Sequence, residues 1–264
     1  MGKNWVLNDF VSSTASQHLK SSLYSYFNVQ RPLQEFVPNG YHFIYFNPKS
    51  EESELSFDGY DSHQQPNQPF KRRVWIGGEI QFHNDLKFNK QAFCVESIDS
   101  VKNLRTNSLV SINREIITSD GDLSIFEKRN LLYLDKLYKH DVLMDKTQDL
   151  IPEYTHELTP TDILMFRFSA LTFNSHKIHY DKLYAAKEGY PDILMQGPLS
   201  VVLLLEWVTS LNNLKIKSFE YKNVKPIFGN SPLKLCLKES NQKEIRVWIE
   251  GPKREIYMTG EIKF

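Results

Sequence analysis

An α+β fold made of two similar halves is what this sequence predicts, and three observations carry the prediction. Each half opens with a helical region and closes with strand-like runs rich in β-branched and aromatic residues. One helix, "GPLSVVLLLEWVTSL" (197–211), is apolar all round, as a helix enclosed by other elements must be. Two strands of the first half are joined by "SDGD", an Asp-Gly pair whose glycine supplies the positive φ of a tight antiparallel turn.

In chain order, residues 17–27 ("QHLKSSLYSYF") place Leu19, Leu23, Tyr26 and Phe27 on one helical face. "YHFIYF" (41–46) reads as an aromatic strand, and residues 50–69, polar and punctuated by glycine and proline, as a long surface loop. The runs "EIQFHNDL", "AFCVESIDSVKNL", "SLVSINREIITS" and "LSIFEKRNLLYL" follow as strands, and residues 136–153 read as a linker. The second half begins with a helix in "TPTDILMFRFSALTF", with Thr159 as its cap, Pro160 at its first position and Asp162 favouring its N-terminal dipole. "HYDKLYAAKEGY" gives a short helix capped by Asp181 and closed by Gly189. "PLKLCLKES", "EIRVWIEG" and "EIYMTGEIKF" complete the chain as strands. A curved antiparallel sheet wrapped around a long helix is the hot-dog arrangement. Two side by side predict a double hot dog, divided into a non-catalytic repeat over 1–140 and a repeat carrying the chemistry over 141–264.

Composition excludes several functions. The 264 residues hold 32 lysines and arginines against 32 aspartates and glutamates, so no global field draws the chain to nucleic acid. The longest apolar run, "LSVVLLL", falls far short of the roughly 20 residues needed to span a bilayer. Cys94 and Cys236 stand far apart, outside metal-ligand spacing, and read as reduced and buried. The N-terminal segment lacks an apolar secretory core; its serine-rich, acid-poor composition gives weak support to a mitochondrial presequence.

The chemistry concentrates in "SALTFNSHKIHYD" (169–181). Asn174 and His179 lie five residues apart, at the junction between one helix and the next. Histidine titrates near neutral pH and can take and return a proton, whereas a neutral amide both donates and accepts hydrogen bonds. Downstream, "QGPL" sets Gly197 at the start of the apolar helix, where an unpaired N–H is a candidate oxyanion donor. A glycine needed only for the turn before the helix is the plainer alternative. His176 takes a supporting role. Arg72, Arg73 and Trp75 are candidates to line the approach, with packing as the plainer reading of each, and His83 reads as structural.

"RFSALTFNSHKIHYDKLYA" followed by "MQGPL" resembles the hydratase segment of the MaoC-like hot-dog dehydratases, most closely their 3-hydroxyacyl-thioester dehydratase type 2 branch. "HFIYFNP", "RRVWIGGEIQFH" and "SINREIITSDGDLSIFEKRNLLYL" resemble the N-terminal repeat of the same proteins. The resemblance implies reversible dehydration of (3R)-3-hydroxyacyl thioesters, carried on acyl-carrier protein or coenzyme A, in mitochondrial fatty-acid synthesis. It implies no metal, flavin or nicotinamide, since no electrons are transferred. It also implies an aspartate–histidine pair, of which the histidine is His179; Asn174 stands at the aspartate position, a change common in this branch. Gln196 stands where relatives often carry histidine, and counts with His176, Arg72 and Trp75 as a candidate substrate contact. The two repeats can satisfy each other as a pseudo-dimer, so the expected state is a monomer or a homodimer. Two alternatives remain open: a hot-dog thioesterase with Glu206 as its carboxylate, and an inactive subunit that binds acyl carriers.

Overall fold

The computed structural model describes residues 4–27, 32–62, 65–66, 70–139, 150–211 and 214–264. Ten strands among these residues form one antiparallel sheet: β1 (Asn4–Phe10), β2 (Arg72–Phe82), β3 (Gln91–Leu104), β4 (Asn107–Thr118), β5 (Leu123–Leu134), β6 (Tyr154–Leu158), β7 (Ser218–Asn223), β8 (Leu233–Asn241), β9 (Glu244–Glu250) and β10 (Ile256–Lys263). Their spatial order is β1-β3-β4-β5-β2-β7-β10-β9-β8-β6. Read outward from the central β2–β7 pair, both sides run in the same sequence of equivalent strands, so the second half repeats the first in topology. That is the double hot-dog arrangement expected from sequence.

The two halves are joined by main-chain hydrogen bonds. β2 pairs with β7 from Gly77↔Lys222 to Gln81↔Ser218, just past a register shift between Trp75 and Gly77. A side chain at Gly77 would collide with the Tyr221 carbonyl, and one at Gly78 with the Lys128 carbonyl. The bare glycine pair lets β2 approach both of its neighbours closely at the seam.

Four α-helices accompany the sheet: α1 (Ser13–Phe27), α2 (Asp162–Leu171), α3 (Lys182–Lys187) and α4 (Gly197–Leu211). In α1 the inward face is Ser16, Leu19, Leu23 and Phe27, as the periodicity predicts, with Tyr26 half-buried beside it. The expected all-round apolar helix is α4, buried continuously from Leu199 to Leu205 and again at Trp207 and Val208. It shares one apolar cluster with Ile80, Phe219, Tyr221, Val247 and Ile249 from the sheet. Each such side chain contributes about 1.5–3 kcal/mol on burial, so this helix anchors the core.

Several sequence expectations need correcting. "YHFIYF" is no strand: Tyr41–Ile44 form a 3-10 turn entered through Gly40 at φ 87, and every residue from Tyr41 to Phe46 is buried. Consecutive burial with no alternation is what a strand with one solvent face would forbid. The cap of α2 is Thr161, whose Oγ1 accepts the Leu164 N–H at 3.1 Å. Thr159 and Pro160 belong to the connection from β6, and the Pro160 carbonyl accepts from Asn230 N instead. Strands β6 and β7 went unread because their apolar residues are few and interleaved with polar and charged ones, and β1 because Asn8 and Asp9 interrupt its short apolar run. The expected division at 140/141 falls within residues 140–149, outside those described, as does most of the expected linker. Asp181 does cap α3, accepting from Tyr184 N at 3.0 Å, and Gly189 closes it at φ 91. Both cysteines are free and buried.

Candidate active site

The turn between α2 and α3 carries His176 and His179. It is pinned from both sides: the Asn174 N–H donates to the Ser169 carbonyl at 2.9 Å, and the Leu194 N–H donates to the Ile178 carbonyl at 2.9 Å. His179, 9 % exposed, donates from Nδ1 to the Leu194 carbonyl at 2.7 Å. A carbonyl can only accept, so this contact fixes the tautomer and leaves Nε2 as a lone-pair nitrogen. Burial, then the neighbouring His176, pull the His179 pKa from its ordinary value down to about 3, against the opposing pull of the Leu194 carbonyl. The imidazole is therefore neutral, and a base in form, throughout the physiological range.

Asn174 is half-buried, and its Oδ1 accepts the His176 backbone N–H at 3.1 Å. The Nδ2 group is then the part of the amide left to meet a substrate, as a donor to an oxygen. Gly197 opens α4, and its N–H is among the helix-start amides that have no intrahelical acceptor. A side chain here would lie 3.1 Å from Asn223 Nδ2 and 3.5 Å from Trp75 Cβ, so glycine keeps this amide open to approach.

One cavity of about 1440 Å³ is lined by Asn174, His176, His179 and Gly197 together with residues of the first half, including Phe43, Trp75 and Arg129. The structure thus brings Asn174, His179 and Gly197 to one cavity, to which the first half contributes both apolar and charged side chains.

The remaining candidates divide. Gln196 lines the cavity, but its Nε2 is committed to the Met165 carbonyl (2.9 Å) and Ser169 Oγ (2.7 Å), tying α4 to α2. Arg72 is held by the Lys136 carbonyl (2.6 Å) and Tyr190 Oη (2.8 Å), which fixes it as a wall of the cavity. Trp75 donates from Nε1 to Tyr221 Oη at 3.1 Å and carries the Arg129 guanidinium 4.8 Å above its ring. Arg73 stacks on Tyr60, and burial lowers its pKa to about 10. His83 is exposed at the end of β2, its N–H bound to Ser124 O. Glu206 does not line the cavity; it lies against Tyr41 further along α4.

Sequence reading missed one participant. Asp58, in the stretch taken for a surface loop, puts Oδ2 3.2 Å from His176 Nε2. The only linear hint is the turn-forming Asp58-Gly59 pair; no spacing reveals that the loop folds onto a segment more than a hundred residues away.

The fold and this wall of side chains define a class, the MaoC-like double hot-dog proteins. The HtdX protein of Mycobacterium tuberculosis superposes with a TM-score of 0.75 at 12% identity, covering 98% of this chain and 99% of that one. A MaoC-like dehydratase from Phytophthora capsici superposes equally well at 10% identity, over 100% of this chain and 95% of that one. More particularly, the model of hydroxyacyl-thioester dehydratase type 2 matches residues 40–229, and this chain belongs to that family of hydro-lyases. It is 34% identical to the mitochondrial hydroxyacyl-thioester dehydratase type 2 of Schizosaccharomyces pombe, over 95% of this chain and 94% of that protein. It is 33% identical to mesaconyl-C(4)-CoA hydratase of Chloroflexus aurantiacus, over 82% of this chain and 79% of that one.

Proposed function

We propose that this chain interconverts (3R)-3-hydroxyacyl and trans-2-enoyl thioesters, carried on acyl-carrier protein or coenzyme A, in mitochondrial fatty-acid synthesis. The observation that carries the reading is His179, held neutral with Nε2 as its lone-pair nitrogen, in the same cavity as the Gly197 amide.

In dehydration, His179 Nε2 takes the C2 proton while the Gly197 N–H donates to the thioester oxygen on which charge builds. The C2–H electron pair becomes the C2–C3 double bond, and the C3–O bond breaks. Burial makes an imidazolium at His179 unstable, so the proton passes at once to the departing oxygen, which leaves as water. Asn174 Nδ2 donates to that oxygen and orients it; an amide cannot take the proton itself. Hydration runs the same steps in reverse.

Support for a mitochondrial setting comes from the S. pombe relative and from a Saccharomyces cerevisiae relative, 29% identical over 89% of this chain, both bearing that designation. A single chain can suffice, since the β2–β7 seam already joins the two repeats. No helix among the described residues is long and apolar enough to cross a membrane. Glu206, the carboxylate expected for the thioesterase alternative, lies outside the cavity.

The test follows loss of enoyl absorbance on hydration of a trans-2-enoyl thioester, with product configuration checked. Wild-type turnover to the (3R) product, abolished in folded His179→Ala, is expected. Full activity in that variant would overturn the assignment of the base. Carrier binding without turnover in wild type would leave a non-catalytic subunit.

A further inference from the structure

We propose that Asp58, from the first repeat, is a positioning residue of the hydratase site and acts on His179 through His176. This rests on the function proposed above.

The loop bearing Asp58 is fastened to the hydratase segment by three hydrogen bonds. Lys177 N donates to the Asp58 carbonyl (2.8 Å), Ser175 Oγ to the Gly59 carbonyl (2.6 Å), and Lys177 Nζ to the Phe57 carbonyl (2.6 Å). Gly59, at φ 78, presses so close to the Ser175 carbonyl that a side chain there would collide with it. Within the loop, Asp58 Oδ1 accepts from Ser56 Oγ (2.8 Å) and from Tyr60 N (3.1 Å). One carboxylate oxygen is thus consumed in fixing the group, and the other, Oδ2, is presented to His176 Nε2 at 3.2 Å.

His176 is 3 % exposed and stands edge-on to His179, with ring centroids 5.7 Å apart and planes at 89°. Both imidazoles line the cavity; Asp58 does not. The bonds within its loop direct the carboxylate at the His176 ring. It can anchor the ring that braces His179, and its negative charge offsets the positive charge that His179 acquires in mid-reaction. Asn174, the polar neighbour on the cavity wall, carries no charge to do so.

The other groups facing His176 are Arg73, whose charge opposes protonation, and the rings of Tyr60 and Tyr184. Glu188 bonds Tyr184 behind them. Burial holds His176 neutral against the pull of Asp58, while His176, Ser56 and Arg73 outweigh burial and keep Asp58 ionised. The ring is turned off ideal alignment with Oδ2; catalytic hydrogen bonds are often loose before substrate binds and tighten in the complex.

The experiment compares kcat and KM for wild type, Asp58→Asn, Ser175→Ala and His176→Gln, with NMR titration of the His176 ring in wild type and Asp58→Asn. Loss of the carboxylate is expected to lower kcat tenfold or more with KM within twofold, and to move His176 titration to lower pH. Ser175→Ala, which removes only a loop fastening, should cost far less in kcat. Wild-type kcat in folded Asp58→Asn overturns the proposal, as does a loss confined to KM and matched by Ser175→Ala. If Asp58→Asn fails to fold, His176→Gln breaks the same link, and full kcat in that variant is equally fatal. If wild type hydrates no enoyl thioester, the functional reading falls on its own, and an unmoved His176 titration would overturn the pairing separately.

Discussion

His179 Nδ1 lies 2.7 Å from the carbonyl oxygen of Leu194, fifteen residues later, and this contact makes the tautomer a consequence of the fold. The same burial that excludes water from the ring also sets a dependence of stability on pH. The pKa drops from 6.5 to about 3 on folding, so across that window the unfolded chain binds a proton that the folded chain refuses. Stability is full above pH 6.5 and is lost as pH falls towards 3, by up to about 1.4 kcal/mol per pH unit from this group. His176 shifts in the same direction, with burial again the largest cause. The urea midpoint should therefore fall on acidification, and less steeply in His179→Asn. Parallel slopes in the two chains would show that this imidazole is not held neutral.

The Gly197 amide is expected to be sensitive to small changes. In Gly197→Ala the new methyl would stand 3.1 Å from Asn223 Nδ2, closer than an ordinary contact, so Asn223 or the start of α4 must shift. Displacement of an oxyanion donor costs turnover more than it costs the fold. A decrease in kcat of about 10- to 100-fold is expected, with stability altered by less than about 1 kcal/mol. Kinetics and denaturation on the same preparation check both; unchanged kcat would remove Gly197 from the mechanism.

How much of this was legible in the sequence follows from how local each feature is. The helix α4, its Gly-Pro start and the Asp181 cap are encoded within a few consecutive residues, and all are found. Asn174, His179 and Gly197 could be grouped from the sequence because they lie close together in the chain, and all three line one cavity. Asp58 was not, because its partnership with His176 spans the two repeats and depends on a loop whose composition says only that it turns. The aromatic run at 41–46 misled for a related reason: large apolar residues favour strands in isolation, but here they are enclosed by α1 and the sheet, and the chain takes a 3-10 turn. The cap expected at Thr159 falls instead at Thr161, because β6 runs to Leu158 and α2 begins only at Asp162.

Beneath the cavity, the first half holds a buried ionic cluster that no spacing announces. Arg114 Nε forms an ion pair with Glu96 (2.6 Å), while one terminal nitrogen donates to Glu127 (3.0 Å) and the other to the Phe46 carbonyl (2.9 Å). Glu127 is fully buried, yet Arg129, Arg114 and His42 outweigh burial and hold its carboxyl well below the usual range. Arg114→Met would leave two buried carboxylates short of a cation and orphan the Phe46 carbonyl. A loss of about 3–5 kcal/mol in unfolding free energy is expected, because breaking one side of a buried pair costs more than the pair contributes. Denaturant titration reads this directly; a loss under about 1 kcal/mol would mean that solvent reaches the cluster.

Gln196 provides the complementary case, a cavity-lining residue whose contacts mark it as a fastening between helices. Its Nε2 bridges the Met165 carbonyl and Ser169 Oγ, both on α2, while its Oε1 is buried with no partner. Gln196→Leu removes both bonds of the bridge, each worth about 0.5–1.5 kcal/mol, less whatever is regained by deleting the unpaired oxygen. If the bridge is what the side chain supplies, stability falls by that amount while KM for the enoyl thioester stays within a few-fold of wild type. If Oε1 instead meets a substrate group, KM rises at least tenfold with stability little changed. Measuring both in one variant separates a strut between α2 and α4 from a contact to the acyl carrier, and the two hydrogen bonds already made by Nε2 favour the strut.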